Sequence, residues 1–271
     1  MSAPAATGEK KIDWERARAA LDERGFAVLP GVLTQKNCQE IVRYYTDDHR
    51  FRSRIEMSRY SFGQGEYKYF NYPLPSIVQQ LRSSIYPHLA ALANRWGGRL
   101  GRKLPLYPET LTDYLEQCHR AGQNRPTPLL LKYGVGDFNC LHQDLYGDSV
   151  FPFQLTFFLS QRGSDFTGGE FVLAEQQPRR QSRVEVLSPE QGDAVIFVKG
   201  RAATTAPTFV TASARFIPGS DTPWGSFSMT RSESEWLIEL IDQCGSKARR
   251  GLDTFFVVPV SLRTRFTFSK H

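Results

Sequence analysis

Apolar positions recur at helical spacing through much of the first 125 residues and at strand spacing between residues 128 and 198. In "DWERARAALDERGFAVLPGVL" Ala and Leu repeat along a helical face from Trp14, the pattern halts at Gly25, and a short strand over "FAVLPGVL" follows. Residues 34–49 predict a second helix opened by Thr34. Residues 51–75 carry many aromatics and end in "YFNYPLP", which predicts irregular structure wrapped over a core. Two more helices are expected over 76–98 and 109–121, joined by a basic loop containing Pro. After "NRPTPLLLKYG" the texture changes. "PLLLKYG", "FPFQLTFFLS", "EFVLAEQ", "SRVEVLSPEQ" and "GDAVIFV" read as closely spaced strands bounded by Gly, Pro, Asp or Ser. The pattern predicts an α+β protein, a helical front followed by a jelly-roll or cupin-like barrel.

This organisation divides the chain into a leader (1–12), a helical support region (13–125), a β core (126–200) and a final segment (201–271). The leader is polar and rich in small residues, so it has no means of burying itself and is expected to be disordered. The final segment starts with "RAATTAPTFVTASARFIPGSDTPWGSFSMT", which has neither period and an excess of Thr, Ser, Pro and Ala. Further on, "SESEWLIELIDQCG" predicts a helix, with Ser232 and Glu235 at capping-box spacing and Gly245 at its end.

Composition narrows the class. Of 271 residues 40% are hydrophobic and 23% charged, a soluble globular balance. There is no signal-peptide pattern at the start and no apolar run long enough to span a bilayer, so a cytoplasmic protein without a membrane partner is expected. Cys38, Cys118, Cys140 and Cys244 lie far apart with no CxxC spacing, which points to buried thiols rather than disulfides or structural zinc. The net charge of +6 would suit an anionic partner. Residues 201–271, however, hold nine Lys/Arg and six Asp/Glu, so half of that excess sits in the last quarter.

Candidate chemistry begins at "NCLHQDLYGD". In an extended segment His142 and Asp144 project to one face, where imidazole and carboxylate can share a metal ion. Taken alone, the tripeptide fits a surface His and a turn Asp better than a metal site. Downstream, "FTGGEFVL" has the Gly pair of a tight hairpin, and "SPEQGDAVIF" has a turn feeding an apolar strand.

Taken in order, "LLLKYGVGDFNCLHQD", "FTGGEFVL" and "GDAVIF" resemble the iron(II)- and 2-oxoglutarate-dependent oxygenase superfamily, in its prolyl-hydroxylase-like branch. The resemblance covers residues 128–198. It implies a double-stranded β-helix carrying a facial set of two His and one carboxylate around iron(II). His142 and Asp144 would be the first two ligands, and Tyr133 would hydrogen-bond the 2-oxoglutarate. The implied reaction consumes 2-oxoglutarate and O₂, with ascorbate as an accessory reductant, and hydroxylates a protein side chain or a small molecule.

The resemblance then breaks off. The family pattern needs a second His some fifty residues or more after His-x-Asp, and an Arg or Lys roughly ten residues later. After His142 the chain has only His271; His49, His88 and His119 all precede it. Arg201 and Arg215 have no His at the required offset. Another reading frame accounts for the gap. Back-translating residues 203–230 and reading from the third base of each codon permits "NNRTNFRHGVS" and then "IHSGQRHTLGVIFHD". These would supply the distal His, the Arg and the closing apolar strand. The expectation is therefore a frame-shifted C-terminus after about residue 200, an incomplete barrel, and impaired activity in this chain.

Two alternatives stand beside the oxygenase reading. One is an inactive cupin-like binding protein. The other is a nucleic-acid base demethylase, for which "RFRSRIEMSRYSFGQGEYKYF" has the mixed basic and aromatic composition, although a solvated lid over the barrel mouth explains the same residues.

Overall fold

The computed structural model describes residues 11–101, 106–142, 149–175, 181, 183–199, 209–213, 235–240 and 243–244. The leader, apart from Lys11 and Ile12, and most of the segment beyond Lys199 lie outside these residues.

Local sequence sets the first elements. Helix α1 (Trp14–Arg24) is capped by Asp13, whose side chain accepts from the Arg16 amide at 3.0 Å, and ends at Gly25 with φ 76°. Strand β1 (Phe26–Leu29) follows. Thr34 caps α2 (Gln35–Arg43) by accepting from the Asn37 amide at 3.2 Å. The expected helix over 34–49 stops at Arg43. Two single turns of 3-10 helix complete the segment, the second capped by Asp47.

The irregular stretch expected over 51–75 is instead largely sheet, with β2 (Phe51–Glu56), β3 (Gly63–Gln64) and β4 (Glu66–Phe70). A register shift between Phe51 and Ser53 breaks the alternation of β2. In β4, Tyr67 and Tyr69 pair opposite Leu131 and Leu129, so an aromatic-rich strand had the texture of a loop. Helices α3 (Ser76–Arg99) and α4 (Leu111–Arg120) fall where periodicity predicted them. No described helix is long and apolar enough to cross a membrane.

The remaining strands are β5 (Leu129–Tyr133), β6 (Phe138–Asn139), β7 (Ser149–Val150), β8 (Phe153–Phe158), β9 (Phe171–Glu175), β10 (Val184–Leu187), β11 (Ala194–Val198), β12 (Phe209–Ser213), β13 (Glu235–Leu240) and β14 (Gln243–Cys244). The large sheet has the order β1-β11-β8-β13-β5-β4-β2, and a smaller one the order β10-β9-β12. Short pairs β14-β7 and β3-β6 complete the set. The large sheet is antiparallel and not closed into a barrel, as the sequence implied. The α+β class holds, although β1, β2 and β4 reach the large sheet from the chain's front half.

Both faces of the large sheet are covered. Phe153, Leu155 and Phe157 of β8, with Ala194, Ile196 and Val198 of β11, pack in one cluster with Leu21, Leu89, Ala93 and Trp96 of the helices. Their alternating neighbours turn toward the small sheet. There Phe158, Val195, Phe197, Leu131 and Tyr133 join Phe171 and Leu173 in a second cluster. Burying side chains on both faces explains the nearly continuous apolar texture of β8 and β11.

Two further expectations are corrected. Gly168 and Gly169 do adopt positive φ, 75° and 63°. They do not close a hairpin, because β8 and β9 lie in different sheets and the turn serves a crossover. The helix expected at "SESEWLIELIDQCG" is β13, paired with β5 on one side and β8 on the other. Tertiary pairing overrides local capping: Leu237 and Ile238 each bury on opposite faces of the sheet.

Candidate active site

Tyr133 closes β5 with its side chain inside the two-sheet sandwich, only 2% exposed. Its ring lies beneath Gly65, where an added Cβ would stand 2.8 Å from Tyr133 Cδ1. After a turn in which Asp137 accepts from the Gly134 amide at 2.8 Å, β6 runs back under β3 with Gly63 opposite Asn139. The Cys140 amide extends that pairing by donating to the Phe62 carbonyl at 2.8 Å.

Two residues further on, His142 Nδ1 lies 2.8 Å from the Cys140 carbonyl. A carbonyl only accepts, so Nδ1 carries the proton and Nε2 is left with the lone pair that a metal requires. Cys140 is partly buried, and burial raises its thiol pKa, so it is a poor competitor for the ion. Asp144, the second expected ligand, lies outside the described residues, as do Arg201 and Arg215. His88 is engaged elsewhere, stacked on Trp14 at 4.2 Å, and His49 and His119 stand on separate helical turns. Among the described residues no three His, Cys, Asp or Glu form a group that could hold a metal ion.

The interior is polar where a cosubstrate would enter. Gln154 and Thr156 alternate with the apolar residues of β8, and Lys199 continues the inner face of β11; all three are buried. The Thr156 hydroxyl has no hydrogen-bond partner among the described residues. A buried hydroxyl without a partner is costly unless a ligand satisfies it. Tyr133 and Thr156 are both buried on the face of the large sheet that looks toward the small one. A site of two His and one carboxylate built on His142 would lack its second imidazole, because no His follows before position 271. Gln154 and Thr156 are hidden in the sequence because "FQLTFF" has the texture of a plain apolar strand, and Lys199 because it stands just past the end of "GDAVIFV". Alternation against β11 is the signal that could have found them.

An antiparallel two-sheet sandwich with helices on one outer face is the double-stranded β-helix architecture. A prolyl 4-hydroxylase from Pseudomonas putida has this fold, superposing at a TM-score of 0.50 over 85% of this chain and 99% of that one, with 10% identity. A family model described as "Oxygenase, catalysing oxidative methylation of damaged DNA" matches residues 65–215, more than half of the chain, and the chain belongs to that family. Two uncharacterized proteins from strains of Mycobacterium tuberculosis are each 48% identical to it over 128 residues. The match spans 47% of this chain and 54% of each relative, so the chain spans about half the length of the curated relatives it matches.

Proposed function

We propose that this oxygenase acts on alkylated bases in DNA, coupling their oxidation to decarboxylation of 2-oxoglutarate, and that the frame-shifted C-terminus withholds one iron ligand from the present chain. The observation supporting the reading is His142, just past the end of β6, whose Nδ1 is held by the Cys140 carbonyl so that Nε2 is the nitrogen suited to a metal. Iron(II), when bound, would activate dioxygen. Tyr133 and Thr156 would orient the cosubstrate, and the sandwich would exclude water.

The stoichiometry balances. One O₂ and one 2-oxoglutarate give succinate, CO₂ and a hydroxymethyl group in place of the N-methyl group. That hydroxymethyl then leaves as formaldehyde, and the ring nitrogen recovers its electron pair and a proton. Membership of a DNA-oxidising family favours this substrate over the protein side chain that the prolyl-hydroxylase resemblance suggested.

The test is a protein made with the reading frame restored near codon 200, incubated with iron(II), ascorbate, O₂ and single-stranded DNA carrying an N-methylated base. Formaldehyde and succinate in equal amounts are the expected result, abolished in His142→Ala. Binding of neither iron nor 2-oxoglutarate by the restored protein would overturn the oxygenase reading in favour of a cupin-like binding module.

A further inference from the structure

We infer that Tyr60, backed by Phe62 and flanked by Arg59, is a stacking platform for an unpaired base of single-stranded nucleic acid beside the His142 site. The inference rests on the proposed DNA substrate and identifies where the strand is held.

Tyr60 is 55% exposed, unusual for a large aromatic, while its ring stacks on Phe62 with centroids 5.5 Å apart and planes 20° apart. Phe62 is partly buried against the inner core cluster, so the inner ring is anchored and the outer one presents a face. The platform is rigidly framed. The Phe62 amide donates to the Met57 carbonyl at 3.1 Å, the Met57 amide to the Gly65 carbonyl at 3.0 Å, and Ser61 turns the chain with φ 59°. Met57 itself is buried, 1% exposed.

The same frame ties the platform to the site. The Phe62 carbonyl accepts from the Cys140 amide, and the Cys140 carbonyl accepts from His142 Nδ1, so a single residue's backbone links the aromatic pair to the metal-binding imidazole. A Cβ on Gly63 would stand 2.1 Å from the Phe138 carbonyl oxygen, so the segment cannot lift away without breaking close backbone packing.

Charge completes the match. Residues 50–70 hold five Lys/Arg against two Asp/Glu. The Arg59 side chain is 70% exposed, and its ion pair with Glu56 engages Nε, which leaves the terminal amines for a phosphate. Stacking contributes about 1–3 kcal/mol per base and suits any base, whereas a duplex hides these faces. A polypeptide substrate would not need an exposed ring pair beside a guanidinium.

The test is fluorescence anisotropy of the full chain with a labelled single-stranded oligodeoxynucleotide, and with the blunt duplex as competitor. Single strand should bind more tightly than duplex. Tyr60→Ala should weaken single-strand binding about tenfold, Tyr60→Phe should preserve it, and Arg59→Gln should lower the salt slope by about one. Wild-type affinity in Tyr60→Ala, equal affinity for duplex, or no binding to single strand would overturn the inference. So would tighter, Tyr60-dependent binding of an acidic peptide. The two proposals separate cleanly: Tyr60-dependent binding without methyl oxidation by the restored protein sinks only the proposed reaction. Methyl oxidation with an unchanged KM in Tyr60→Ala sinks only the platform.

Discussion

The Cys140 carbonyl fixes the tautomer of His142, two residues along the same extended segment and 2.8 Å from Nδ1. The contact comes from the backbone, so the Cys140 side chain is dispensable to it. Cys140→Ala in the frame-restored protein should retain 2-oxoglutarate turnover within about twofold, while His142→Ala should abolish it. Loss of turnover in Cys140→Ala, measured as succinate formed, would show that the thiol participates.

Gly65 lies over the Tyr133 ring with φ +122°. In Gly65→Ala the new methyl meets both backbone strain and the ring. A loss of about 1–3 kcal/mol by urea unfolding is expected, together with weaker 2-oxoglutarate binding by calorimetry as Tyr133 is pushed aside. An unchanged cosubstrate affinity would separate Tyr133 from cosubstrate binding.

Ile238 of β13 is fully buried and pairs with Phe157 of β8 and Leu130 of β5. Ile238→Ala should cost about 2–5 kcal/mol, read from the urea midpoint. No shift would mean that this segment does not fill the gap between β5 and β8.

His88 senses pH at the junction of α1 and α3. Burial lowers its pKa below the usual 6.5, and the Arg18 guanidinium acts in the same direction, with Nη2 3.3 Å from Nδ1. The folded state therefore binds fewer protons than the unfolded one. The stabilisation is complete above the unfolded pKa and is lost as pH falls toward the folded one. Unfolding midpoints measured from pH 7.5 down to 5.5 should fall more steeply in the wild type than in His88→Gln. Parallel slopes would assign the pH dependence to other groups.

Much of this molecule was legible because its determinants are local. Asp13, Thr34 and Gly25 mark helix ends by side-chain and φ requirements that a sequence displays directly. "PLLLKYG" and "GDAVIFV" were legible as strands, and His142 and Tyr133 were singled out by the family resemblance. What stayed hidden depends on partners distant in the chain. The Tyr67 and Tyr69 alternation acquires its meaning only opposite Leu131 and Leu129. The Gly63 and Gly65 pair looks like any flexible loop until β6 and Tyr133 lie against it. Thr156 is recognisable as an interior hydroxyl only once β8 is placed between β11 and β13.

The gap between β5 and β8 shows how unequal the demands of folding and chemistry are. "EWLIEL" occupies it with Leu237 and Ile238 buried on opposite faces, a pattern that thousands of hexapeptides would satisfy. The His142 imidazole, whose Nδ1 is set by a backbone carbonyl, has no such tolerance. A substitution can therefore keep the architecture recognisable while removing one nitrogen lone pair from a site. In proteins of this shape, loss of activity and loss of structure are separate events, and a chain that still folds is no guide to whether its gene still works.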